Sequence, residues 1–72
     1  MKIYAMGTLG RDGNIESYFL TREKARAALR LKHDEIVRRF ATMDEETPDR
    51  FRFHLEWQGG ATWAITEINV EE

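Results

Sequence analysis

Phe51-Arg52-Phe53-His54-Leu55-Glu56-Trp57 alternates apolar and polar side chains without a break, and Gln58-Gly59-Gly60 then leads into Ala61-Thr62-Trp63-Ala64-Ile65. Successive strand side chains point to opposite faces, so the run 51–57 is a half-buried strand. The two glycines turn it into a further strand, from Thr62 to near Val70. That last strand does not alternate cleanly: Trp63 and Ile65 share one parity, Ile68 and Val70 the other. A β-bulge near Thr66-Glu67 would bring all four to one side. Without it, either Trp63 or the Ile68 and Val70 pair lies on the outer face.

Working towards the amino terminus, residues 2–8 read as a first strand and Ile15 to Leu20 as a second, with Asp12-Gly13 as the hairpin signal between them. The period then changes. Thr21 is suited to cap a helix, Glu23 lies in its first turn, and Leu20 is placed to staple onto Ala25. The helix is predicted over about 22–42. Ala25, Leu29, Ile36, Phe40 and Met43 form its apolar stripe, Ala28 and His33 lie at the stripe's edges, and Leu31 is exposed on the back. Arg30/Asp34, Asp34/Arg38 and Glu35/Arg39 are spaced for ion pairs. Asp44-Glu45-Glu46-Thr47-Pro48-Asp49 reads as an acidic loop ended by a proline. The expected fold class is α+β: ββαββ, a four-stranded, largely antiparallel sheet with the helix on one face. Phe51, Phe53, Leu55 and Trp57 would meet the helix stripe.

Seventy-two residues make a single domain, 1–72, with a core sufficient for folding and little to spare. No cysteine is present, so neither disulfides nor thiolate zinc can brace it. The net charge of −2 lacks the basic excess of a non-specific nucleic-acid binder. No apolar run approaches the ~20 residues that cross a bilayer, and the start lacks the pattern of a signal peptide. A soluble cytoplasmic protein is expected, without membrane association.

Motifs for chemistry are scarce. His33 and His54 have no metal-ligand spacing; His33 is expected to pack its ring edge and His54 to face a charge on a solvated strand. Asp12, Asn14 and Glu16 have the spacing of the first three calcium-loop ligands but read as turn chemistry. Nucleophile elbows, phosphate loops and zincin motifs are absent. No enzymatic activity, catalytic residue, metal or cofactor is expected. Binding is the better expectation. The outer sheet face would carry Arg52, His54 and Glu56, joined by Tyr4, Met6, Tyr18 and Trp63, with Asp44, Glu45, Glu46 and Asp49 beside it. Aromatic, methionine and arginine side chains are enriched in interface cores.

The stretch Tyr18-Phe19-Leu20-Thr21-Arg22-Glu23-Lys24-Ala25-Arg26-Ala27-Ala28-Leu29, with the closing Glu67-Ile68-Asn69-Val70, resembles small phage and mobile-element proteins. Those are similar in size and build to anti-CRISPR and other anti-defence inhibitors. The resemblance implies a protein of the host cytoplasm that inhibits a bacterial protein complex by binding it, with the surface where that complex holds nucleic acid as the expected place of contact. Met1-Lys2-Ile3-Tyr4 and Thr8-Leu9-Gly10 also resemble the opening of ubiquitin-like β-grasp proteins, which implies a mixed sheet as the alternative fold. The tail Val70-Glu71-Glu72 lacks the Gly-Gly that conjugation requires. The alternative functions are sequestration of a small ligand such as a nucleotide, in a pocket that dimerisation could create, and a structural homodimer.

Overall fold

The structure, a computed structural model, describes residues 1–10, 13–56 and 59–71. Trp57, expected to point inward, and Asp12 of the expected hairpin turn lie outside the described residues. The elements are β1 (Lys2–Leu9), β2 (Ile15–Phe19), α1 (Arg22–Val37), β3 (Thr42–Thr47), β4 (Arg50–Leu55) and β5 (Gly59–Asn69). One sheet of five strands has the order β2-β1-β5-β4-β3, and every neighbouring pair is antiparallel. The helix lies across β1, β5 and β2. This corrects the four-strand expectation by one strand and removes the mixed β-grasp sheet.

The additional strand is the segment expected to be the helix end and an acidic loop. The helix stops at Val37, and Phe40 takes a left-handed conformation with φ of 60°. Its amide and that of Arg39 donate to the carbonyls of Val37 and Ile36, tightening the last turn. Phe40 is 96% exposed, so it does not belong to the apolar stripe; Met43 has moved onto β3 and packs against the core from there. What wins over helix propensity here is the free edge of β4, which β3 satisfies with a ladder of backbone hydrogen bonds. Thr47-Pro48-Asp49-Arg50 makes the turn. The Thr47 hydroxyl donates to the Arg50 carbonyl (2.9 Å) and accepts from its amide (3.0 Å).

At the helix start the residues behave as expected. Thr21 is extended, and its hydroxyl accepts from the Lys24 amide at 3.2 Å. Leu20 remains mostly exposed, so the staple onto Ala25 does not close. Leu29 and Ile36 meet Met6, Phe51 and Phe53 to form the core. Leu31 is exposed on the helix back, as expected.

β5 pairs with β1 from Lys2↔Asn69 to Leu9↔Thr62 with no shift of register, so the bulge at Thr66-Glu67 does not form. Trp63 and Ile65 therefore lie on the helix side and pack on the core, while Ile68 lies on the opposite face. Lys32 sits 5.0 Å above the Trp63 ring. Register shifts occur elsewhere, between Met6 and Gly7 in the β1–β2 pair and between Met43 and Glu45 in the β3–β4 pair. At the first, the chain passes so close to Gly7 that a Cβ there would lie 2.1 Å from the Asn14 carbonyl oxygen.

Two substitutions are expected to act with opposite sign. Gly7→Ala has no space at the bulge and should cost about 2 kcal/mol or more. Phe40→Gly removes a left-handed strain without losing packing and should stabilise by about 1 kcal/mol. Urea midpoints of the two variants against wild type check both; a stable Gly7→Ala protein would contradict the bulge geometry.

Candidate binding site

The sheet face turned away from the helix has no second layer. Strand parity divides it into two halves of different chemistry. On β4 and β3 it carries Arg50, Arg52 and His54 with Asp44 and Glu45. Arg50 pairs with Glu45 at 2.6 Å, and His54 Nδ1 lies 2.9 Å from Asp44. The β3 bulge turns Asp44 and Glu45 to the same side. Arg52 has no carboxylate within 4 Å among the described residues. Glu56 is exposed just beyond the end of β4. On β2, β1 and β5 the same face carries Ile15, Tyr18, Ile3, Ala5, Leu9, Thr62, Ala64, Thr66 and Ile68.

The structure therefore divides the residues expected at the binding surface. Arg52, His54, Tyr18, Asp44 and Glu45 share the open face. Tyr4 and Trp63 do not: both lie under the helix side, Tyr4 beneath the Arg22 guanidinium at 5.0 Å and Trp63 beneath Lys32. Met6 is part of the core. Glu46 and Asp49 also face the helix. The reason is the unbroken β5 register, which assigns Tyr4, Met6, Trp63 and Ile65 to one parity.

On the helix side, α1 covers β1, β5 and β2, and a cleft of about 440 Å³ remains between it and the β3–β4 hairpin. Leu29, Pro48 and Phe51 give it an apolar floor; Arg30, His33 and Glu46 stand around it. Ion pairs bridge the cleft at both ends. Asp49, in the hairpin turn, accepts from Arg26 Nε at 2.6 Å and from Arg22 Nη1 at 2.9 Å. Glu46 lies 2.6 Å from His33 Nε2, and Asp34 lies 3.2 Å from its Nδ1. The His33 ring stands edge-on to Phe51, with centroids 5.3 Å apart, so its expected edge packing is present. Its carboxylate partners were not legible, because Glu46 comes from a strand that read as loop. The Pro48-Asp49 turn facing arginines four apart was the available signal.

The hydrogen bond that the protonated His33 ring donates to Glu46 holds His33 above its ordinary pKa, with Asp34 adding to it against a desolvation cost. Arg26 above all, then Arg22, holds Asp49 below the usual carboxylate range. The raised His33 contributes stability that is complete below its unfolded pKa, about 6.5, and is lost as pH rises through its folded value. Asp49 contributes above its unfolded pKa of 3.8 and loses that contribution as pH falls through its lowered folded value. In an NMR titration, Glu46→Gln should lower the His33 pKa, and the variant's urea midpoint should fall less than wild type's between pH 5.5 and 8.5. An unchanged His33 titration would break the assignment.

No family model, curated protein or solved structure matches the chain.

Proposed function

We propose that this protein acts by binding and without catalysis, as a phage-type inhibitor that occupies a surface of a bacterial protein complex, of the anti-defence kind. One observation carries the reading. The β4–β3 half of the sheet is open, lies at a free edge, and concentrates Asp44, Glu45, Arg52 and His54 on one face. A free edge strand offers unpaired backbone groups to a partner. Asp44 and Glu45 beside it suit a basic groove of the kind that holds nucleic acid. The contact of Asp44 with His54 and the ion pair of Glu45 with Arg50 hold these carboxylates in place before contact, which lowers the ordering cost of association.

Sequestration of a small ligand is the second reading, and the cleft beside His33 favours it. Its volume is within the range of small-molecule sites, and an apolar floor with a few polar groups is their usual make-up.

The two separate in one pair of measurements. Asp44→Lys with Glu45→Lys should abolish capture of a bacterial partner and protection of a phage or plasmid, and capture by wild type should weaken with salt. Absence of both partner and protection with wild type would end the first reading. A melting-temperature rise with a nucleotide, lost in Arg30→Ala, would establish the second.

A further inference from the structure

We propose that the β2–β1–β5 half of the open face is a self-association surface, and that its occupant is a second copy of this chain, related by a two-fold axis running across the strands.

The charge pattern is the first ground. Among the described residues, the outward positions of β2, β1 and β5 carry no ionised side chain, whereas every outward position of β4 carries a cation or a histidine. A patch that meets its own copy must be self-complementary, and an uncharged one does so without repulsion. Exposure points the same way. Tyr18, Ile15 and Leu9 are 60%, 52% and 47% exposed, on strands whose other face the helix covers. Aromatic and aliphatic side chains grouped on one face mark an interaction site more than scattered ones do.

Relief is the second ground. Ala5 and Ala64 are buried although no second layer covers them, and Gly7 lies between them on the same parity. They make a low floor along the middle of the patch. Tyr18 stands beside Ala5, Ile15 beside Gly7, and Ile3 and Ile68 at one end. A two-fold across the strands at the Ala5↔Thr66 level lays Ile3 of one copy over Gly7 of the other and Ile68 over Ala64, while Tyr18, level with Ala5, meets its own counterpart at the axis.

The stagger of the sheet is the third. β4 pairs with β5 from Gly59 to Ala64, and the Ile65 amide donates to the Asp49 carbonyl, so residues 66–69 extend past the hairpin and pair with β1 alone. Arg52 is level with Thr62 and Leu9, four residues along the strands from the Ala5↔Thr66 level. An axis through that level sets each Arg52 about 14 Å away along the strand direction, on opposite sides. Like charges stay apart, and the charged halves project freely at opposite ends. The dimer thus leaves the proposed partner surface open and displays it twice.

The size of the patch sets the strength. β1 and β5 pair over eight residues and β2 adds five, so the plan is at most about 14 by 27 Å, below a standard interface and in the class of weak, transient ones. A weak, reversible dimer is expected.

Sedimentation equilibrium from about 1 μM to 1 mM tests this, with a chain mass of 8.5 kDa. Wild type should pass from one to two chain masses over that range. Tyr18→Lys with Ile15→Lys should remain monomeric, while Leu31→Lys, on the helix back, should dimerise as wild type does. A wild type monomeric at every concentration overturns the proposal, as does a dimer that survives the double substitution. Should the double variant not fold, amide shifts of wild type on dilution take its place. Changes centred on β2, β1 and β5 support the interface; changes confined to α1 or the β3–β4 hairpin overturn it. This outcome is independent of partner capture.

Discussion

A single helix has to cover a sheet that is too wide for it. Sixteen residues of α1 make a rod about 24 Å long and about 10 Å across, while five strands span about 24 Å in width. The helix therefore shelters β1, β5 and β2 and leaves the hairpin flank and the whole reverse face to other devices. On the flank, Asp49 and Glu46 reach back to Arg22, Arg26 and His33, and the cleft lies between these two attachments. Towards the other end of the helix, Lys32 closes over Trp63 and pairs with Glu16. The reverse face has no such closure, and the charged platform and the self-association surface both lie on it.

Much of this was legible where local rules decide. The alternation through Leu55, the Thr21 cap and the two opening strands form close to their expected bounds, because period and cap chemistry act within a few residues. Residues 42–47 were not legible. Three acidic side chains in a row carry no strand period, and they become a strand only because β4 needs an edge partner. Trp63 was undecided for the same kind of reason. Its direction depends on how β5 registers against β1, a partner far away in sequence, and a slip of one residue would have reversed it. The site inherits both effects. His54 faces Asp44 much as its strand position suggested, whereas Tyr4 and Trp63 are withdrawn from the surface by register alone.

The charges of this chain are distributed with the same division. Pairs on the helix side join separate elements: Asp49 to Arg22 and Arg26, Glu46 to His33, Glu67 to Lys2 and Arg22. Each is solvent-exposed enough to be weak singly, so their effect is on where the hairpin sits more than on whether the core forms. Among the described residues, pairs on the open face join β3 to β4 and stiffen the platform on which Arg52 stands.

β1 and β5, the first and last strands, are neighbours at the centre of the sheet, and the Met1 and Val70 backbones continue their ladder. During synthesis, β1 leaves the ribosome with only β2 available to pair. The β3–β4 hairpin can form early, yet its one link to the rest of the sheet is β5. The two halves of the domain remain separate until residues 59–69 clear the exit tunnel, and the core then closes around a contact between distant parts of the chain. Such topologies fold slowly for their size, because the loop must close before any of its contacts are gained. In the living cell, this domain would acquire its shape in one step, after elongation has passed its last strand.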